Sequence, residues 1–504
     1  MAPAPMRRDR PRSEEQAAPL DTSDMQGLVG RAYGHLSYAR YLLLGIADPA
    51  GARRWLGHVV EDVNTAAQPR QDGVCINVAL TWAGLARLGL AADALATFPR
   101  PLQEGMVTEH RSRILGDSGA SAPSNWRWGA PHHPEIHVML LVFADTEEEL
   151  AAAHEKCRSE LGAEGALVEV SEPIDGRLLD DVGTEHFGFM DGISQPVISG
   201  WPRTTSSVHP LAAPPPAKWT EVNPGEVLLG RADNFDKPSE GPTVAAGSGG
   251  RVLPPADWGP RGRHHLGHSG SFLVFRQLAQ DVSGFRRWVA ETAASARAAA
   301  PSAADPSADR SLLAAKIVGR WPNGAPLALA PGGDGEAPAG ANDFGYHEMD
   351  QEGLRCPLGA HVRRANPRDS SLAHPDVALS STKNHRILRR GRPYGPPMVD
   401  IPAQPEESED PERGLIFVCL NADFERQFEF VQNTWINNPF FAGLYDEVDP
   451  LTGTQPAGGG RFTMQAEPVR RVVKGIPDFV TVKGGGYFFL PGIRALRYLA
   501  GVET

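Results

Sequence analysis

The sequence has few cysteines, no long apolar run and a deficit of positive charge, and each of these features argues against a class of protein. Four cysteines, at positions 75, 157, 356 and 419, are spread over 504 residues. They disfavour a disulfide-built secreted fold and predict free thiols in a reducing cytoplasm. No window approaches the roughly 18 consecutive apolar residues of a membrane span. The net charge of −12 argues against a general nucleic-acid or anionic-membrane binder.

The composition indicates a large folded protein, because 41% of the residues are hydrophobic. Residues 1–20 predict a disordered polar tail, since the twin arginines at positions 7 and 8 lack the apolar run of an export signal. The proline-rich stretch over 201–225 predicts a linker. We therefore expect an N-terminal domain over residues 21–200 and a C-terminal domain over residues 226–504.

Strand and helix signals follow one another on both sides of this linker. EIHVMLLVFAD predicts a strand and TEEELAAAHEKCRSELGA a helix, while GSFLVFRQLAQDVSGFRRWVAETAASARAAA and LIFVCLNADFERQFEFVQNTW each predict a strand followed by a helix. The repetition predicts two similar halves of an α+β fold with sheets and helices in separate layers. Stretches 301–345 and 402–413 are rich in Pro, Gly, Asp and Ala and predict surface loops.

Three short segments carry the main functional signal. EHFGFMDGISQP sets Asp191 among apolar neighbours, which can raise the pKa of a carboxylate and suit it to proton transfer; a simple Asp-Gly turn is the alternative. RCPLGAHVRRANPRDS sets His361 among four arginines, which indicates an anionic ligand or a solvated loop. KNHRILRRGRPYGPP is either an anion site or an exposed basic loop. Each segment, read alone, fits its plainer explanation.

Two other patterns are weaker. His264 and His268 in HHLGH are four residues apart, as on a metal-binding helix face, but the neighbouring glycines favour a loop with solvated histidines. Gly484, Gly485 and Gly486 lack the helix-opening GxGxxG pattern of a phosphate loop. A bulge or close strand packing explains these glycines.

In their order and spacing, the three segments resemble the dye-decolorizing peroxidases, a family of haem enzymes. The resemblance continues through GEVLLGRADNF, LIFVCLNADFERQFEFVQNTWINNP and FVTVKGGGYFFLPG, and it spans about residues 21–500. It implies two ferredoxin-like halves, each an antiparallel sheet flanked by helices, in a fold of the dimeric α+β barrel type. The second half would bind most of the haem.

The resemblance also implies roles for individual residues. His361 matches the family's axial ligand to haem iron. Asp191, in the stretch Gly188–Gly192, matches the acid that moves a proton between the two oxygens of peroxide. Arg389 matches the distal arginine that stabilises the developing peroxide anion, with Arg390 as the alternative if the register is off by one.

Two further assignments concern the surroundings of the axial histidine. Arg363, Arg364 and Arg368 are suited to the two haem propionates, and Arg368 is the preferred candidate. The family's acid that accepts the second ring hydrogen of the histidine matches Glu425 best, with Asp423 as the alternative. Both acids also lie at the start of a predicted helix, where a role in capping explains them equally well.

The function implied is that of a haem-dependent peroxidase, which reduces hydrogen peroxide and oxidises dyes, phenolics and other aromatic donors in one-electron steps through a ferryl intermediate. One non-covalent haem b per chain is expected, since the sequence contains no Cys-x-x-Cys-His. We expect a cytoplasmic protein without nucleic-acid or membrane partners, and the sequence leaves oligomerisation open. A haem-binding or haem-handling protein with little turnover, and a cofactor-free α+β binding module, are the alternatives.

Overall fold

The computed structural model describes residues 20–68, 73–162, 165–201, 217–247, 252–299, 306–370, 374–397 and 411–501. Its strands are β1 (Tyr38–Ile46), β2 (Cys75–Leu80), β3 (Val138–Ala144), β4 (Leu167–Glu169), β5 (Ile174–Arg177), β6 (Val197–Ile198), β7 (Glu221–Val222), β8 (Thr243–Ala245), β9 (Arg263–His265), β10 (Ser271–Gln280), β11 (Leu388–Arg389), β12 (Arg392–Tyr394), β13 (Gly414–Asn421), β14 (Gly460–Met464), β15 (Arg471–Ile476) and β16 (Val480–Leu490). The predicted tail over residues 1–20, apart from Leu20, and residues 202–216 of the predicted linker lie outside the described residues.

The α-helices lie mostly between these strands. They are α1 (Gly27–Gly30), α2 (Pro49–Asp62), α3 (Trp82–Arg87), α4 (Ala92–Leu95), α5 (Arg100–Glu104), α6 (Glu109–Leu115), α7 (Glu147–Gly162), α8 (Ala217–Thr220), α9 (Val282–Ala299), α10 (Pro306–Val318), α11 (Tyr346–Met349), α12 (His361–Ala365), α13 (Pro375–Lys383) and α14 (Ile493–Ala500). Two π-helical segments, Glu425–Glu429 and Val431–Ile436, follow β13. No helix of the described ranges is long and apolar enough to cross a membrane.

The N-terminal half contains a four-stranded antiparallel sheet in the order β2-β3-β1-β4. Helix α2 follows β1 and helix α7 follows β3, which gives the βαββαβ order of a ferredoxin-like unit. Asp48 caps α2 by accepting hydrogen bonds from the backbone N–H groups of Ala50 and Gly51. The apolar face of α2, including Trp55 and Val59, is buried.

The C-terminal half repeats this arrangement. Its strands have the order β11-β13-β10-β16, and β12 continues the edge next to β13. The two sheets join through β16 and β2, where Phe489 lies opposite Leu80. The α+β fold with two ferredoxin-like halves is therefore confirmed, and the halves share one continuous ten-stranded sheet.

Two sequence expectations about local structure are wrong. Residues 301–345 are not one surface loop, because helix α10 occupies Pro306–Val318 and buries Leu313 and Ile317 on one side. The spacing of those apolar residues was masked by the Ala and Pro content around them. His265 of the HHLGH pattern is also not solvated: it lies in β9, is 2% exposed, and packs edge-on against Trp258.

The triple glycine in β16 agrees with close strand packing. A Cβ atom added at Gly484 would lie 2.3 Å from a ring carbon of Trp128, closer than any ordinary contact. β16 also pairs with β10 across a register shift next to Gln277. Glycine is therefore required at Gly484 because an indole ring from the N-terminal half covers the strand.

Candidate active site

A cavity of about 320 Å³ brings together the three segments that the sequence singled out. Asp191 comes from the loop before β6, His361 from the first position of α12, and Arg389 from β11. In the chain, His361 follows Asp191 by 170 positions and Arg389 follows Asp191 by 198 positions. The fold therefore collects them from distant segments, as the resemblance implied.

One ring nitrogen of His361 is held by a buried carboxylate. Its Nδ1 lies 3.0 Å from Oδ2 of Asp449, which is 0% exposed. The other oxygen of Asp449 accepts hydrogen bonds from the backbone N–H groups of Leu451 and Thr452. An ionised carboxylate only accepts, so Nδ1 carries the hydrogen and Nε2 offers its lone pair. The imidazole is thus fixed in the tautomer that a metal ligand needs.

The pKa values of this pair shift in the directions expected for such a contact. Burial lowers the pKa of His361, but the charge and hydrogen bond of Asp449 outweigh it, and the net pKa lies above the ordinary histidine value. Burial raises the pKa of Asp449, and His361 and the backbone donors bring it below the ordinary aspartate value. Asp449 therefore stays ionised next to the ring.

The expectation that Glu425 or Asp423 would be this partner is wrong. Glu425 lies on the outer side of its π-helical segment, is 59% exposed, and binds Arg111 of the N-terminal half at 3.1 Å. Asp423 accepts a hydrogen bond from the backbone N–H of Arg426 at 2.9 Å, which is the capping role that was its alternative. Neither carboxylate lines the cavity.

Asp191 and Arg389 form an ion pair within the cavity wall. Oδ1 of Asp191 lies 2.5 Å from Nη1 of Arg389. Burial by itself raises the pKa of Asp191, but the charge and hydrogen bond of Arg389, with help from the Gly192 backbone N–H and from His361, bring the net pKa below its ordinary value. The apolar surroundings thus favour a raised pKa, as the sequence suggested, but the guanidinium outweighs this desolvation.

Arg390, next to Arg389, has a different environment, and this difference shows which of the two arginines belongs to the cavity. Arg390 is 3% exposed, and its guanidinium donates hydrogen bonds to the carbonyl oxygens of Leu28 and Val29 in α1. Arg389 is the arginine that reaches the cavity, and Arg390 ties the N-terminal segment to the same strand. The alternative assignment to Arg390 does not fit these contacts.

A second carboxylate, Glu185, shapes the loop that carries Asp191. It accepts hydrogen bonds from the backbone N–H groups of Phe187 and Phe189 and from the Gln280 side chain at 2.8–3.0 Å. It also lines the cavity. Burial raises the pKa of Glu185 to about 7, although these three donors oppose the rise. Glu185 was not among the site residues predicted from the sequence.

Three buried arginines also line the cavity. Arg320, Arg368 and Arg386 are 5%, 3% and 7% exposed, and none forms an ion pair with a carboxylate within the described residues. Arg320 and Arg368 share the side-chain oxygen of Asn342. Burial, together with the charge of Arg368, lowers the pKa of Arg320 and of Arg386 to about 10 and about 9.

Of the three candidates for propionate binding, only Arg368 lines the cavity. Arg363 donates to Asp350 at 3.1 Å, and Arg364 donates to the carbonyl oxygens of Trp435 and Glu447. Buried arginines bound to carbonyl oxygens occur elsewhere in the fold as well, and Arg392 is an example. The arginines of the cavity differ because they are clustered, they raise one another's electrostatic energy, and they border a space that an anion can enter.

The remaining wall is apolar and aromatic. Its members include Leu278, Phe417, Phe428, Val431, Ile436 and Leu451. A planar, iron-containing macrocycle with carboxylate substituents requires an imidazole with a free lone pair, an apolar wall and cations that have no carboxylate partners of their own. The cavity provides all three. The residues of this cavity therefore fit haem.

Several residues of the site could not be found from the sequence. Asp449 lies 88 positions from His361, and the only local signal is the Asp-Pro-Leu-Thr turn, which fixes a carboxylate without saying what it faces. Arg320 falls in a stretch predicted to be a surface loop. Arg386 was noted within its basic segment, where the choice between a site and an exposed loop stayed open.

Comparisons with known proteins agree with this site. The family described as Dyp-type peroxidase, C-terminal, matches residues 335–468. The dye-decolorizing peroxidase msp1 of Mycetinis scorodonius is 30% identical over 97% of this chain and 90% of its own length. An ancestral D-type dye-decolorizing peroxidase is similar in structure, with a TM-score of 0.73, 29% identity and coverage of 95% of this chain and 99% of its own.

A further solved structure, a dye-decolorizing peroxidase in complex with 2,6-dimethoxyphenol, has a TM-score of 0.74 and 26% identity, and covers 96% of this chain and all of its own. The similarity to these proteins therefore extends over nearly the whole chain. The chain belongs to the dye-decolorizing peroxidases, a family of haem enzymes that reduce peroxide and oxidise dyes and phenolics.

Proposed function

We propose that the cavity holds one non-covalent haem b, whose iron would be bound by Nε2 of His361 and whose reaction with peroxide would be assisted by Asp191 and Arg389. The observation that carries the proposal is that His361, fixed by buried Asp449, and the Asp191–Arg389 pair line one cavity. Bound there, haem iron would supply the redox chemistry that couples peroxide reduction to oxidation of a donor. None of the cysteines lines the cavity, which supports non-covalent binding.

Asp191 is the proposed proton carrier. Its lowered pKa keeps it ionised in the resting protein, so it can accept the proton of an incoming hydrogen peroxide molecule. It can then donate that proton to the distant peroxide oxygen, which leaves as water. General acid–base steps of this kind contribute about 10²–10⁴-fold to a rate.

Arg389 has two proposed roles. Its fixed positive charge stabilises the negative charge that develops on peroxide when Asp191 takes the proton. Its ion pair with Asp191 also keeps that carboxylate ionised between turnovers. Both roles need the guanidinium to stay in contact with the carboxylate at the cavity wall.

Arg368 is proposed to bind a haem propionate, supported by its burial, its place in the cavity wall and its lack of an ion pair among the described residues. The Arg368→Leu variant is expected to bind haem about 10- to 100-fold more weakly, because a hydrogen bond between charged groups contributes about 1.5–3 kcal/mol. Titrating haem into the apoprotein and following the Soret band measures this affinity.

The matched control for Arg368→Leu is Arg355→Leu. Arg355 belongs to the same sequence segment but is exposed, donates to the Ala328 carbonyl at 3.0 Å, and does not line the cavity. The control is expected to bind haem like the parent protein. Equal affinity in Arg368→Leu and the parent would assign the propionate to Arg320 or Arg386 instead.

The donor class is tested with purified holoprotein, hydrogen peroxide and two donors, 2,6-dimethoxyphenol and an anthraquinone dye. We propose that both are oxidised, in a peroxide-dependent manner and in one-electron steps. Steady-state absorbance changes of donor and product measure the turnover. A holoprotein with a normal Soret band that oxidises neither donor would favour the alternative of a haem-handling protein.

The cellular location remains a proposal. The four cysteine thiols are buried and none is bonded to another, and burial raises the pKa of Cys75, Cys157 and Cys356 to about 11. Such thiols are unreactive and need no oxidising environment, which supports a reducing compartment such as the cytoplasm.

A further inference from the structure

The strand that carries Arg389 lies at the open edge of the C-terminal sheet. β11 pairs on one side with β13, where Arg389 lies opposite Cys419. The next residue, Arg390, donates its backbone N–H to the Val418 carbonyl at 2.7 Å. Backbone groups alternate between the two sides of an antiparallel strand, so the N–H and C=O of Arg389 point away from β13 and need another partner.

The side chain of Gln195 provides a partner for both groups, and the Arg389 carbonyl also accepts a hydrogen bond from Nη1 of Arg390 at 3.1 Å. Oε1 of Gln195 accepts the backbone N–H of Arg389 at 3.0 Å, and its Nε2 donates to the Arg389 carbonyl at 3.3 Å. A carboxamide has the same donor and acceptor as a peptide unit, so the one side chain pairs with the strand edge as a neighbouring strand would. Both hydrogen bonds go to the single residue whose guanidinium binds Asp191.

Gln195 lies only four residues after Asp191. Because both residues bind Arg389, the three residues and the short chain segment between Asp191 and Gln195 form a closed ring of interactions. One side of the ring is the chain from Asp191 to Gln195, and the other is Arg389, bound through its backbone to Gln195 and through Nη1 to Asp191 at 2.5 Å. The neighbouring Ser194 carbonyl also accepts a hydrogen bond from Arg386 at 3.0 Å. Gln195 itself does not line the cavity.

We propose that Gln195 is a positioning residue for peroxide reduction, which holds the backbone of Arg389 so that its guanidinium meets Asp191 at the cavity wall. The inference rests on the proposed roles of Asp191 and Arg389. Gln195 acts through Arg389 and touches neither haem nor peroxide. Three charged groups face Asp191, namely Arg389 from β11, His361 from α12 and Glu185 from its own loop, and only Arg389 is bound by Gln195.

The test is Gln195→Met, which keeps the side-chain length and removes both hydrogen bonds. The second-order rate of the spectral change on mixing holoprotein with peroxide is expected to fall about 10- to 100-fold, as for a misplaced catalytic group. The acid limb of its pH profile is expected to move to higher pH, since Arg389 no longer holds Asp191 ionised. Hydrogen cyanide must also lose its proton to bind as cyanide, and we expect Asp191 to accept that proton, so the equilibrium affinity of the resting holoprotein for hydrogen cyanide is expected to fall in parallel.

Gln103→Met is the matched control, because Gln103 also uses its amide in a hydrogen bond, to the Phe98 carbonyl, but lies outside the cavity. It is expected to change neither the rate nor the pH profile. If Gln195→Met does not retain haem, Gln195→Asn replaces it: this amide is one methylene shorter and cannot reach both groups of Arg389. The same pH shift is expected, and an unshifted profile in a haem-loaded Asn or Met variant would overturn the inference.

A double-mutant cycle with Arg389→Leu separates this inference from the proposed function. If Gln195 acts through Arg389, adding Gln195→Met to Arg389→Leu should change the peroxide rate by less than about twofold, because coupled residues are not additive. Full additivity would overturn the positioning role alone. A normal peroxide rate in Arg389→Leu itself would overturn the proposed function of Arg389, whatever Gln195→Met does.

Discussion

His361→Ala is expected to lose haem. The side chain is proposed to be the sole protein ligand to the iron, and Asp449 would then be a buried carboxylate without its partner. Loss of an outer hydrogen-bond partner typically weakens metal binding about 10- to 100-fold, and loss of the ligand itself should weaken it further. The ratio of Soret to protein absorbance in the purified variant, followed by titration of the apoprotein with haem, measures the effect.

Adding free imidazole tests whether the loss of haem is due to the missing ligand. The cavity that His361→Ala creates has room for free imidazole, which is expected to restore part of the Soret band and part of the reaction with peroxide. His110→Ala serves as the control, since His110 is exposed on α6 and does not line the cavity. Normal haem content in His361→Ala without imidazole would show that another residue binds the iron.

Arg389→Leu is expected to move the acid limb of the peroxide reaction to higher pH. Burial favours the neutral form of Asp191, and Arg389 provides the largest opposing effect on its pKa. In the parent protein the rate of the reaction with peroxide should therefore stay constant until the pH falls through the lowered pKa of Asp191. Without the guanidinium that pKa rises, by about 1–3 units for a lost neighbouring charge, and the rate is lost at correspondingly higher pH. Stopped-flow mixing with peroxide across a pH series measures the limb.

Three further variants test whether the shift in Arg389→Leu comes from the lost charge next to Asp191. Arg389→Lys keeps the charge and should keep most of the low-pH rate. Asp191→Asn has no carboxyl group to titrate, and is expected to retain haem and react about 10²–10⁴-fold more slowly without this acid limb. Arg390→Leu should lower thermal stability, because its hydrogen bonds go to Leu28 and Val29, and should leave the limb in place. A limb that moves in Arg390→Leu and not in Arg389→Leu would reverse the assignment of the two arginines.

The sequence was informative where short-range patterns decide the outcome. The apolar run of β3 and the charged helical pattern of α7 were sufficient to predict those elements, and the resemblance of three segments pointed to Asp191, His361 and Arg389, which line one cavity. Each of these residues sits in a dense local motif that includes glycines, prolines or arginines. Each motif alone also fits a turn or a loop, and the order and spacing of the three together carried the resemblance.

The partner of His361 could not be read in this way. Glu425 was chosen because its helix was visible in the sequence, but the direction in which a side chain leaves a helix depends on packing, and Arg111 of the N-terminal half attracts it outward. Asp449 stands in a turn whose neighbours reveal only that its carboxylate is held by backbone N–H groups. The lowered pKa of Asp191 likewise depends on a contact with a residue 198 positions away.

The hydrogen bonds from Arg390 and Arg392 to backbone carbonyls of residues 28, 29, 32 and 33 make the two halves inseparable. A fragment that began after residue 225 would lack the carbonyl oxygens that accept these hydrogen bonds, and both guanidinium groups would face solvent where they now bridge the halves. The C-terminal half therefore depends on the N-terminal half to satisfy these two arginines, and an engineered version of it alone would need to replace them or supply other acceptors.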